Sequence, residues 1–180
     1  WMHLGIMRFY ARDEEGAVAA FERSLACNPS AWVYRNLAKI ALLQKDREKA
    51  GEYYEKALSL RPDQRALAIE ATALLADLRP EFCFTVIEAM PENIKKLGRI
   101  RYHEAKAAVN SDHLEEAEKI LLGEMELTDV REGEVTLSDL WFDLCAKKIA
   151  KAEGIAVDDA LKERVRTECP PPKHLDFRMN

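Results

Sequence analysis

Residues 1–29 read WMHLGIMRFYARDEEGAVAAFERSLACNP, and residues 34–62 read YRNLAKIALLQKDREKAGEYYEKALSLRP. Laid over each other at an offset of 33, Trp1, Leu4, Gly5, Ala17, Phe21, Ser24 and Pro29 fall on Tyr34, Leu37, Ala38, Ala50, Tyr54, Ala57 and Pro62. Aromatic meets aromatic, small meets small and proline meets proline. Self-similarity at a period of about 34 residues marks stacked pairs of helices, each pair unable to bury its apolar faces alone. Gly5 and Ala38 are small enough to let the two helices of a pair approach closely, while Leu4 and Leu37 fill the seam between them. Ala17 with Phe21, and Ala50 with Tyr54, stand at i and i+4 on one inward face of the second helix. Pro29 and Pro62 stop that helix, and Asp13 and Asp46 precede its first turn, where a carboxylate accepts from exposed N–H groups.

Composition agrees with helices throughout. Ala, Leu, Glu, Lys and Arg supply 94 of the 180 residues, and 7 Gly with 7 Pro leave little material for turn-rich β structure, so the chain is expected to be all-α. Past Pro62 the pattern weakens. Asp63 opens a helix through about Leu75, with Ala71 and Leu75 at packing positions, and residues 80–90 form its short partner. Pro91 begins a helix running to about Asn110, and Asp112 with Glu115 forms a capping box ahead of Ala117 and Leu121. Glu124, Glu126, Asp129, Glu132 and Glu134 then face Arg131 alone. Trp141, Leu144 and Cys145 restart the motif, Leu161 stands where the aromatic belongs, and Pro170 follows near the stop. The expected organisation is four hairpins over 1–123, an acidic connecting loop over 124–137, a terminal hairpin over 138–169, and a Pro-rich extended tail over 170–180. In that tail Leu175, Phe177 and Met179 alternate with Asp176 and Arg178, which suggests a strand with one apolar edge docked on the last hairpin.

The two N-terminal segments resemble the tetratricopeptide repeat family. The resemblance implies a right-handed superhelical α-solenoid of about ten helices. It also implies a non-catalytic protein–protein interaction module that takes a peptide or a partner helix in its concave groove. Placed by that resemblance, the groove residues are Trp32, Arg35, Asn36 and Lys39 of the second repeat, and Arg99, Tyr102, His103 and Lys106 of the fourth, with Lys95 extending the stripe. Family members that hold a peptide's terminal carboxylate use Lys, Arg and Asn on this surface. The first repeat offers Met2 and Ile6 there instead, a departure from that pattern. The tail, with the helix over 140–152, is similar to the ending of large bacterial tetratricopeptide proteins that carry a β-rich, carbohydrate-handling region ahead of their repeats. An accessory array of a larger enzyme is therefore the alternative reading, and a self-association spacer a third.

Other chemistries find little material. No apolar run reaches the ~18 residues of a membrane span, and a net charge of −5 argues against general affinity for nucleic acid or an anionic membrane. Cys27, Cys83, Cys145 and Cys169 lie far apart with no histidine at ligand spacing, so no metal, cofactor or disulfide framework is indicated, and a reducing cytoplasmic setting is expected. Glu115–Glu116 and Asp158–Asp159 are adjacent pairs, which point to different sides of a helix and cannot share one substrate. His103 and His113 read as surface residues, and Trp1 and Trp141 as packing residues. The chain begins at Trp1, which suggests a piece of a longer protein, and the apolar Trp1, Met2, Leu4, Ile6, Met7 and Phe9 suggest a homodimer through the N-terminal hairpin.

Overall fold

The structure is a computed structural model that describes residues 1–123 and 135–177. The acidic stretch 124–134 and Met179 lie outside the described residues. Eleven α-helices fill the rest: α1 (Met2–Tyr10), α2 (Glu14–Cys27), α3 (Ala31–Leu43), α4 (Arg47–Leu60), α5 (Arg65–Leu78), α6 (Pro80–Glu88), α7 (Glu92–Lys95), α8 (Gly98–Asn110), α9 (Leu114–Leu122), α10 (Thr136–Glu153) and α11 (Asp159–Glu168). Among the described residues there is no strand. Antiparallel neighbours α1–α2, α3–α4, α8–α9 and α10–α11 pack as hairpins, and successive hairpins stack, with α4 on α5, α5 on α8 and α8 on α10. The result is an all-α solenoid of tetratricopeptide-like hairpins. Its core is a row of four buried clusters, around Val33 and Leu37, around Leu67, Leu75 and Ile100, around Leu121 and Leu144, and around Val165, bridged by the partly buried Tyr34, Phe84 and Trp141.

Closeness inside the first hairpin is imposed by one missing atom. A Cβ at Gly5 would lie 2.5 Å from Cε1 of Phe21, so only glycine lets α1 seat against the fully buried ring on α2. Phe21, Ala17, Tyr54 and Ala50 are all buried, as the i, i+4 spacing requires. Asp13 caps α2 by accepting from the Gly16 N–H at 2.9 Å, and Asp46 caps α4 by accepting from the Lys49 N–H at 3.0 Å.

Three hairpins share one turn. Arg12, Lys45 and Asp112 adopt left-handed backbone, with φ of 62°, 62° and 60°. The next residue in each case donates its N–H back to the helix just ended, from Asp13 to the Arg8 carbonyl, Asp46 to Ala41 and His113 to Ala108. This is a Schellman closure, which satisfies the orphan carbonyls of the first helix. It corrects the capping box assigned to Asp112. The N-cap of α9 is His113, whose side chain makes no cap bond, while the Asp112 carboxylate bonds Lys147 of α10 at 2.8 Å.

Two other expectations are corrected. The helix expected from Pro91 to Asn110 is broken at Lys96 and Leu97, where Leu97 turns to extended backbone ahead of Gly98, a poor helix residue. The tail is docked, but as a single 3₁₀ turn over Lys173–Leu175 rather than a strand. Leu175 is fully buried among Leu114, Leu121, Leu137, Leu140 and Leu144, so the tail folds back between α9 and α10 instead of covering α11. Trp141 packs as expected and donates its indole N–H to the Cys169 carbonyl at 3.2 Å. Trp1 is 54% exposed, with the Arg23 guanidinium over its ring, because no element lies beyond it on that side among the described residues.

These contacts predict two stability changes of opposite sign. Gly5→Ala gains about 1 kcal/mol of helix propensity but overpacks Phe21, which costs about 1–3 kcal/mol, so the net effect is a lower melting temperature. In a Phe21→Leu background the same change should become stabilising. Lys45→Gly should raise stability by up to about 1 kcal/mol by removing left-handed strain, read by thermal or urea unfolding.

Candidate partner-binding groove

The candidate surface is built by three first-of-pair helices, α3, α5 and α8. On α3, Trp32 is 39% exposed and lies under the Arg35 guanidinium, 5.6 Å from its ring centroid, while Asn36 is half-buried beside them. Arg35 donates from Nε at 3.0 Å and from Nη2 at 2.5 Å to one carboxylate oxygen of Glu70 on α5. Lys39 stands 3.9 Å from the same oxygen. The other oxygen of Glu70 accepts from the hydroxyl of Tyr54, 2.5 Å away. Burial, and then the Glu70 carboxylate, raise the Tyr54 phenol well above its usual range, so it stays protonated and donating.

On α8 the expected residues divide. Lys106 pairs at 2.8 Å with Asp77 of α5, and Asn110 of the same helix donates to the Ala76 carbonyl at 2.8 Å. Arg99 is half-buried. Tyr102 is buried with its ring edge-on to His103, centroids 5.5 Å apart. His103 is not a surface residue. It is 6% exposed, with Nδ1 2.8 Å from the Thr72 hydroxyl of α5. Burial lowers its imidazole to about 4, with the cations Arg99 and Lys106 acting in the same direction, so it is neutral at pH 7. His113 is half-buried, stacked on Phe84 at 5.1 Å. Lys95 is occupied by Glu92 at 2.8 Å.

The structure therefore gathers Arg35 and Lys39 at one carboxylate of α5 and Lys106 at another. The two sets meet different carboxylates of α5 rather than each other. Glu70 and Asp77 were missed in the sequence. They stand seven residues apart, which puts them on one face of α5, and that spacing was the available signal. Glu104 of α8, 8% exposed, bonds Arg101 at 2.5 Å, and burial raises its carboxyl. Among the described residues no group of histidine, cysteine or acidic side chains is placed to hold a metal ion. The surface offers recognition by charge and by an aromatic face.

The first helix of this surface, together with α4 behind it, coincides with a known unit. Residues 31–64 match the family described as tetratricopeptide repeat. The second hairpin is thus similar to a tetratricopeptide repeat. Its match covers α3, α4 and the four α3 residues named above, whereas the α8 residues lie outside it. No curated protein matches the chain. Tetratricopeptide repeats serve generally as protein–protein interaction modules, which gives the functional class. No helix of the described residues is long and apolar enough to cross a membrane.

The buried imidazole fixes a pH dependence. A group whose folded value is depressed stabilises the fold above its unfolded value and loses that contribution on acidification. For His103 the loss runs from about pH 6.5 to about 4 and amounts to about 3 kcal/mol. Glu104, pushed the other way, partly offsets it, so the comparison that isolates His103 is wild type against His103→Gln. The variant's urea midpoint should fall less steeply with acidification in that window.

Proposed function

We propose that this chain is a non-catalytic interaction module, and that a peptide or partner helix docks across α3, α5 and α8. The α3 end supports the reading most directly. Trp32 combines a large exposed aromatic with a stacked Arg35, residue types enriched at binding hot spots, and Lys39 is 40% exposed at the rim. With Arg35 and Lys39 set against Glu70, this end carries one net positive charge and suits a partner with an acidic side chain beside an apolar one. At the α8 end Lys106 is neutralised by Asp77. A reducing, cytoplasmic setting suits the four free thiols. The family match makes recognition, rather than chemistry, the default task. An accessory role in a larger carbohydrate-handling enzyme fits the same surface, with the array serving to hold that enzyme's partner.

Self-association is a second reading, favoured by one observation. Trp1 at the N-cap of α1 and Met7 and Tyr10 within it are 54%, 69% and 82% exposed, an apolar display unmatched elsewhere on the described helices. A homodimer through the N-terminal hairpin would cover it.

Site-specific photocrosslinking separates the two. A benzophenone at Asn36 should capture a partner polypeptide that the same group at Glu52, exposed on α4, does not, and Trp32→Ala should weaken that capture at least tenfold. Equal capture from both positions would count against the groove. A monomer–dimer equilibrium in sedimentation that disappears in Met7→Lys/Tyr10→Lys would support the second reading, and a monomer at all concentrations would exclude it.

A further inference from the structure

A cavity lies away from the groove, between the α8–α9 turn and the α10–α11 loop, with a volume of about 470 Å³. Its apolar wall is Leu114, Ala150, Ile155 and Val157. Ile155 and Val157 are 46% and 43% exposed although they sit in a fixed loop. Gly154 adopts left-handed backbone at φ 67°, and the Ile155 N–H returns to the Ala150 carbonyl at 3.1 Å, which holds the side chain beside the end of α10. The backbone thus holds Ile155 at this edge of the wall.

Three charged groups complete the lining. Lys147 donates to the Val109 carbonyl at 2.7 Å and to Asp112 at 2.8 Å, two of the three bonds an ammonium can make. Lys151, one turn further along α10, is exposed at the cavity and makes no ion pair or hydrogen bond among the described residues. Two ammonium groups against one carboxylate leave one positive charge, next to aliphatic surface.

We propose that this cavity binds a small monoanionic carboxylic acid with a branched aliphatic tail, the carboxylate on Lys151 and the open donor of Lys147, the tail against Ile155, Val157 and Leu114. The volume falls in the range of small-molecule sites, about 300–1,000 Å³. The charge balance selects one carboxylate, and the aliphatic wall rejects a fully polar anion. The site does not depend on the groove reading.

The test is methyl and amide NMR titration of the full chain with 4-methylpentanoate. Saturable shifts at Leu114, Ala150, Ile155 and Val157 are expected at millimolar ligand. 4-Methylpentanamide, which keeps the tail and loses the charge, should bind at least tenfold more weakly, as should Lys151→Gln with the acid. Because Lys151 is exposed, that variant keeps the fold, and Val157→Ser offers an independent loss on the apolar side. Equal binding of acid and amide, or no saturable shift at these methyls, would overturn the proposal. So would tighter binding of the blocked peptide Ac-Ala-Ala-Leu than of the free acid, which would make the occupant a polypeptide end.

Discussion

The electrostatics of the candidate surface begin inside the core, at one oxygen atom. Where the first hairpin places Phe21, the second places Tyr54, equally buried but carrying a hydroxyl that must find a partner. Glu70 on the next hairpin supplies it, and a carboxylate half-withdrawn from water requires cations in turn. Arg35 and Lys39 meet that need. A chain of obligations therefore runs from the inside of α4 to the rim of α3. It ties two hairpins together, and it determines which charge is left over for a partner.

A second substitution of the same kind sets the next junction. Leu37 and Ala38 of α3 correspond at an offset of 34 to Ala71 and Thr72 of α5, so a hydroxyl stands where the repeat asks for a small apolar residue. Thr72 returns to the Ala68 carbonyl at 2.7 Å and meets His103 at 2.8 Å, both within the core. Asn110 to Ala76 and Lys106 to Asp77 extend the tie along α8. The first junction is different. There α2 and α3 meet through Phe21, Val33 and Leu37, and the polar tie is Gln44 to Glu14 at the exposed edge. Polar specification thus grows toward the middle of the array, where α5 carries acids for the helices on both sides. Lining a surface with paired charges lets a competing ligand charge exchange partners without leaving a buried ion alone.

How much of this was legible follows from the range of each signal. The hairpins, the caps Asp13 and Asp46 and the inward pairs are local, encoded within one period, and a second copy made them readable. The turn residue Asp112 was misplaced by one position because a carboxylate before a glutamate has the same pattern whether it caps the helix or closes the previous one. Only the φ of the backbone distinguishes them. The break at Leu97 is likewise marked in sequence by nothing stronger than Gly98. Glu70, Asp77 and the burial of His103 are of another kind, since they depend on pairings 29 to 35 residues apart. Alternating charge on a helix resembles a solvated face until the neighbouring helix is in place.

The tail shows how little is needed to fill the gap between two helices. The last carbonyls of α9 have no partner within the helix, and apolar surface on α9 and α10 is left facing the same gap. The tail meets both needs with two adjacent residues. His174 Nε2 approaches the Leu121 carbonyl at 2.9 Å. Because a carbonyl only accepts, that nitrogen carries the proton, and the imidazole acts as a helix cap supplied from 53 residues away. Leu175 fills the gap itself and is 1% exposed. The extended Pro172, with φ −55° and ψ 147°, delivers the pair and the 3₁₀ turn presents them side by side. An alternating strand would have sent Leu175 and His174 to opposite faces, so the tighter turn is the conformation that lets one short segment satisfy a polar and an apolar vacancy together.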